Sequence, residues 1–187
     1  MIILLALLLI PLKIKARSDI ITVTLNKCVD GDTAWFNYND ERMKVRFLGI
    51  NTMELKSNNE YAKIAADYTC ESLTNAKEIK LEFDPKSDEK DKYNRYLAWV
   101  FVDNMLLESD LVEKGYAEVK YIYDDYKYVD DLYQKENKAK KEKLGIWKDS
   151  KEDNNYSEYI YIGIASICIL LGISTTKIKK IKKLIVK

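Results

Sequence analysis

The chain has 187 residues, 33% charged and 47% hydrophobic, with a formal net charge of +1, 6 glycines and 2 prolines. That suffices for one compact domain, is short for two, and excludes a disordered or linker-dominated chain. Histidine is absent, which excludes imidazole as general base, nucleophile partner or metal ligand and leaves acid–base work to carboxylates, lysine and tyrosine.

Residues 1–12 (MIILLALLLIPL) carry no charge. As a helix they reach only about 18 Å, too short to span a bilayer core, so residues 1–18 read as a signal-type hydrophobic segment. No Lys or Arg precedes the run and three follow it, so an uncleaved anchor or a misassigned start codon stays open.

A single domain is expected over residues 19–148. Ile20–Val29 alternates as a strand, Asp30-Gly31 signals a turn, and Thr33–Tyr38 and Met43–Ile50 follow as strands, with Val45, Phe47 and Gly49 on one face. Residues 59–74 switch to helical spacing, with Ala62, Ala65, Ala66, Thr69 and Leu73 on one stripe. Ile79–Phe83 and Tyr96–Val102 are the fourth and fifth strands. Asn104 is placed to cap a helix carrying Leu107, Leu111 and Val112, which Gly115 ends. A final helix spans about 128–143. Five strands with interposed helices suit an α+β, mainly β fold class, a five-stranded OB-type Greek-key barrel with three helices; periodicity alone leaves the topology open.

The acidic, Asn-rich stretch KDSKEDNN (148–155) makes residues 149–158 read as a linker. No charge occurs from Tyr159 to Thr176, about 27 Å as a helix, enough to cross a membrane once flanking lysines snorkel. Residues 159–176 are thus expected to be a transmembrane helix, with a buried or interfacial helix as the alternative. The lysine-rich residues 177–187 form a basic tail that the positive-inside rule puts in the cytoplasm, leaving the domain outside. Without the nine basic residues of the two ends, 22 basic residues face 30 acidic ones, a body charge of −8. That is not the usual footprint of a nucleic-acid binder, so any such site must concentrate cations locally. Cys28, Cys70 and Cys168 form no CxxC pair, and their odd number argues against a disulfide framework. A Cys28–Cys70 bridge is open, but two small buried thiols are the preferred reading.

Three segments carry the chemistry: Asp30-Gly31-Asp32-Thr33; Val45-Arg46-Phe47-Leu48-Gly49-Ile50-Asn51-Thr52-Met53-Glu54; and Asp91-Lys92-Tyr93-Asn94-Arg95-Tyr96-Leu97-Ala98. Each alone is weak: a plain turn, an edge-strand arginine facing water, a solvated loop. In this order and spacing they resemble the staphylococcal-type thermonuclease family, with its DGDT, its apolar strand containing Arg, its D-T-P-E and its D-K-Y-G-R-x-L-A. Leu111–Val119 and Ala139–Trp147 resemble that family's L-V-x-x-G-x-A-x-V and its closing helix and tryptophan, so the likeness covers nearly the whole domain.

The resemblance implies a calcium-dependent nuclease acting on DNA and/or RNA. By motif position, Asp32 and Asn51 would be Ca2+ ligands and Thr52 would add its backbone carbonyl. Glu54 would be the general base on a water, Arg46 and Arg95 would clamp the phosphate, and Lys92, Tyr93, Tyr121 and Tyr123 would contact the substrate. Ordinary surface tyrosines are the alternative for Tyr121 and Tyr123. No protein partner is implied; the bilayer is the other partner. The chain departs from the family at three positions. Asn51 stands for aspartate and removes a charge from the ion's shell. Met53 stands for proline and loosens the loop. Asn94 stands for glycine, a mild change because asparagine tolerates positive φ. Asn51 and the acidic body favour a rival reading, a non-catalytic nucleic-acid-binding module; the intact Arg46, Glu54 and Arg95 favour the enzyme.

Overall fold

The computed structural model describes residues 20–57 and 59–149. The chain divides into two compact units, Met1–Asp149 and Ser150–Lys187, and every described residue belongs to the first. The segments 1–18, 159–176 and 177–187, and nearly all of the linker 149–158, lie outside the described residues. Among the described residues no helix is long and apolar enough to cross a membrane.

Among the described residues, eight strands and three α-helices follow in order: β1 (Ile20–Cys28), β2 (Thr33–Tyr38), β3 (Glu41–Phe47), β4 (Ile50–Thr52), α1 (Glu60–Asn75), β5 (Ile79–Glu82), β6 (Tyr96–Val102), β7 (Met105–Leu106), α2 (Leu107–Glu113), β8 (Ala117–Val119) and α3 (Val129–Glu142). The sheet runs β3-β2-β1-β5-β6 and closes on itself through a parallel β3–β6 pair. This is a five-stranded closed barrel with three helices, as the OB-type expectation requires. Closure works because β1 serves two neighbours. Ile20–Val23 pairs with β5 and Thr24–Cys28 with β2, and an irregularity between Leu25 and Lys27 bends the strand where the partner changes.

The barrel fills with side chains from alternate strand positions, chiefly Val23, Phe36, Val45, Phe47, Leu81 and Trp99. Leu107, Leu111 and Leu132 of α2 and α3 are fully buried in the same core. The α1 stripe buries Ala62, Ala65, Thr69 and Leu73. Burial pushes the carboxyl of Glu108 well up, although that side chain accepts the Val100 N–H inside the core.

Two expectations are corrected. Asn104 does not cap α2: Leu106 is the N-cap residue and supplies no side-chain bond. Asp103 and Asn104 instead form the two-residue β6–β7 turn, with φ of 49° and 70°, the left-handed geometry that Asn and Asp tolerate. The Asp103 carboxylate is used there, accepting the Lys77 and Glu78 N–H groups. Cys28 and Cys70 are not free thiols but a disulfide that ties the end of β1 to α1. The odd count misleads because the third cysteine, Cys168, lies outside the domain.

The bridge closes a loop with a sequence separation of 42. By chain entropy such a cross-link stabilises by about 4 kcal/mol. A Cys28→Ala/Cys70→Ala variant should lose stability of that order in urea unfolding, and adding reductant to the unsubstituted protein should reproduce the loss.

Candidate functional site

The site is built at the barrel end where the β1–β2 loop, the last residues of β3 and the short β4 meet. In the loop, the N–H groups of Val29 and Asp30 both reach the Thr33 carbonyl at 3.2 Å, and Asp32 N–H donates to Asp30 Oδ1 at 3.1 Å. These bonds make a tight turn that projects Asp32 inward. Helix α1 presses on it: Thr69 Oγ1 donates to the Gly31 carbonyl at 2.8 Å. A Cβ on Gly31 would lie 2.8 Å from Ala65 Cβ and from Thr52 Cγ2, so close approach demands glycine here. The disulfide partner Cys70 is the next residue after Thr69, which fixes the same contact covalently.

Asp32 is buried and every oxygen it has is used. Its Oδ2 accepts the Thr52 N–H at 2.8 Å and the Thr52 hydroxyl at 3.1 Å, and its Oδ1 accepts the Thr33 hydroxyl at 3.0 Å. Its backbone carbonyl accepts the Phe47 N–H at 2.9 Å. Arg46 Nε stands 3.1 Å from Asp32 Oδ1. Arg46 is therefore not an edge arginine facing water but a buried one. Its Nη1 donates to the Phe47 carbonyl at 2.7 Å, and its Nη2 reaches Asn51 Oδ1 at 3.4 Å. A buried charge needs such compensation. Burial and the neighbouring Asp32 charge push the Asp30 carboxyl above its ordinary range.

Gly49 turns the chain between β3 and β4 with φ of 75°, and β4 then pairs with β8, with Asn51 opposite Glu118. Asn51 Nδ2 donates to Glu118 Oε1 at 3.1 Å, and Lys120 Nζ donates to the same oxygen at 2.7 Å. Just beyond β8, Tyr121 takes φ of 61°, uncommon for an aromatic residue. Its half-exposed ring lies 5.7 Å from Arg46 Cζ.

The second cation belongs to the loop entering β6. Asp91 Oδ1 accepts the N–H groups of Tyr93 and Arg95 at 2.9 Å, and its Oδ2 takes Arg95 Nε at 2.7 Å and Nη2 at 2.6 Å. Burial alone would raise the Asp91 carboxyl; the hydrogen bonds from Arg95 and Tyr93 override it and hold it below the usual range. Asn94 sits at φ 61°, the conformation expected to be tolerable for asparagine. Arg95 Cζ lies 5.4 Å, and Lys92 Nζ 5.1 Å, from the exposed Tyr93 ring. In the parallel pair Arg46 aligns with Leu97, so Arg95 precedes the residue opposite Arg46 by two.

The structure thus joins Asp32, Arg46, Asn51 and Thr52 in one network and places Tyr121 against it. Arg95, Lys92 and Tyr93 form a second cluster. Glu54 follows β4 by two residues, with an exposed carboxylate that no hydrogen bond or ion pair holds among the described residues; only its carbonyl is used, by Ser57. Tyr123 is 82% exposed and joins neither cluster. Three participants have no role assigned from the sequence. Asp91 had a signal, four residues before Arg95 in the same motif. Asp30 reads as a plain turn residue, and Glu118 is 67 residues from Asn51, with nothing in the chain to link them.

The oxygen donors at the first cluster are one carboxylate, one side-chain amide oxygen and backbone carbonyls. Such a set suits a hard cation of the calcium kind and no soft metal. Asp32 Oδ1 and Asn51 Oδ1 already converge on one cationic group, the Arg46 guanidinium. Among the described residues no three His, Cys, Asp or Glu gather to hold an ion, so a bound cation there would depend on the neutral oxygens.

The profile of a family described as staphylococcal nuclease homologue matches residues 44–149. Endonuclease YncB of Bacillus subtilis (strain 168) is 38% identical over 141 residues, which are 73% of this chain and 66% of that protein. The SPbeta prophage-derived endonuclease YokF of the same strain is 41% identical over 134 residues, 69% of this chain and 45% of that protein. The thermonuclease of Staphylococcus hyicus is 33% identical over 130 residues, 67% of this chain and 75% of that protein. The chain therefore spans less than two thirds of the two Bacillus relatives.

Two outcomes follow from the local packing. Gly31→Ala should cost about 1–3 kcal/mol, the usual penalty of overpacking, read by urea unfolding. Asp91 has a folded pKa below its ordinary 3.8, so its contribution is present above pH 3.8 and lost as pH falls through the folded value. Asp91→Asn should therefore flatten the acid limb of stability below pH 3.8, measured by unfolding across pH.

Proposed function

Because this chain belongs to the staphylococcal nuclease homologue family, we propose that it is a calcium-dependent nuclease that hydrolyses phosphodiester bonds of DNA and/or RNA. The observation that carries this reading is the network of buried Asp32, Arg46 and Thr52 with half-buried Asn51, and Tyr121 beside the Arg46 guanidinium. Asp32, Asn51 and the Thr52 carbonyl would hold the calcium ion. When bound, the ion supplies fixed positive charge against the phosphate oxygens.

The chain's own residues do the rest. A phosphodiester gains negative charge on the way to its transition state, so donors fixed where that charge develops stabilise it selectively. Arg46 is held by Asp32 and Arg95 by Asp91, so neither guanidinium must be ordered when substrate arrives. Arg46 and Arg95 donate to the phosphate oxygens. Glu54, exposed and without a side-chain partner among the described residues, accepts the proton of the attacking water. Tyr93 and Tyr121 offer rings for base stacking, which is tolerant of sequence, and Lys92 and Tyr123 add contacts to the strand.

We further propose that the domain works outside the cell, tethered through the uncharged run Tyr159–Thr176. The Cys28–Cys70 disulfide fits an oxidising compartment, and the lysines beyond Thr176 fit a cytoplasmic tail. Millimolar calcium outside the cell suits a site with one full negative charge among its ligands. Protease accessibility in intact cells tests this topology.

The full chain in detergent should cleave single-stranded DNA in proportion to added calcium and stop with chelator. Glu54→Ala, Arg46→Ala and Arg95→Ala should each lower kcat by about 100-fold or more. No cleavage at any calcium concentration overturns the enzyme reading; DNA binding without cleavage would then establish the non-catalytic module.

A further inference from the structure

Asparagine at position 51 raises a problem that aspartate would not. A carboxylate presents two equivalent oxygens, but an amide presents an oxygen one way and an NH2 group the other, and the NH2 group repels a cation. The side chain must therefore be turned one way and held there. Two bonds select the same orientation. Asn51 Nδ2 donates to Glu118 Oε1 at 3.1 Å, while Asn51 Oδ1 accepts from Arg46 Nη2 at 3.4 Å. A flipped amide would set NH2 against the Arg46 donor and its oxygen against the Glu118 carboxylate. The shorter bond is the one to Glu118, whose charge strengthens it. Glu118 is itself fixed, because the β4–β8 ladder sets it directly opposite Asn51 and Lys120 Nζ holds the same Oε1 at 2.7 Å.

We propose that Glu118 is a positioning residue: by accepting the Asn51 NH2 group it aims the Asn51 carbonyl oxygen into the cluster of Asp32 and Arg46, and so makes an asparagine serviceable as a ligand for a divalent cation. The inference rests on the reading of this cluster as a calcium site. It makes the effect of Glu118 conditional on residue 51, since an aspartate there needs no orienting.

Calcium affinity is measured by calorimetry on the full chain in four forms: unsubstituted, Glu118→Ala, Asn51→Asp, and the two together. With Asn51 present, Glu118→Ala should weaken calcium binding about tenfold, an amount equal to one good hydrogen bond to a charged group. In the Asn51→Asp background, the same substitution should cause no loss. An equal loss in both backgrounds would mean that Glu118 acts only as nearby negative charge, and no loss with Asn51 would mean that it does not orient the amide; either result overturns the proposal. An unsubstituted chain that binds no calcium overturns the calcium reading as well, so the two failures are distinguishable. Should Glu118→Ala not fold, the unsubstituted chain still decides. One of its Asn51 Nδ2 protons should be slow to exchange with solvent by NMR, whereas two rapidly exchanging protons would refute the orientation.

Discussion

The Asp32 carboxylate is where three distant pieces of backbone are made to agree. It receives the β1–β2 loop through its own chain, β3 through Arg46, and β4 through the Thr52 N–H and hydroxyl. A carboxylate this deeply buried would be very costly alone. With a guanidinium and three further donors around it the charge is compensated, and the compensation works only if all three segments are in place. The barrel end is ordered by this requirement, and the same charges that order it are those the proposed chemistry uses.

Both arginines are handled alike. Each is held by one carboxylate, Arg46 by Asp32 and Arg95 by Asp91, and each has a tyrosine ring within about 6 Å, Tyr121 or Tyr93. The pairing restrains long side chains before any substrate binds, so less conformational entropy remains to be lost. Under the proposed function it would let a body of charge −8 serve an anionic substrate, the attraction coming not from the overall field but from a few cations fixed at close range.

The loop that carries Asp32 is braced from behind by α1. Gly31 lets the helix approach, Thr69 bonds the loop carbonyl, and the Cys28–Cys70 bridge joins the neighbouring residues covalently. These ties add to the packing of Leu73, which joins α1 to the barrel's hydrophobic core. On the other side of the site, Glu54 follows β4 without a side-chain partner among the described residues.

Alternating apolar residues are enough to locate all five barrel strands, and the Ala62–Leu73 stripe enough to locate α1, because these patterns are set by which face meets the core. The resemblance of the motifs to the thermonuclease family is what gathers Asp32, Arg46, Asn51 and Thr52 as one candidate set. What the sequence does not supply is anything decided by contact between distant segments. β4 and β8 are three residues each, too short for any periodicity. Their pairing alone brings Glu118 to Asn51. The disulfide, likewise, is invisible to a count of cysteines and depends on the end of β1 lying against α1. The identity of the candidate ligands and of the charged residues is thus a property of the sequence. Their long-range partners, which fix the direction each side chain points, are a property of the tertiary structure, because only the packing of the barrel, the separate β4–β8 pair and α1 together brings chain segments tens of residues apart within hydrogen-bonding distance.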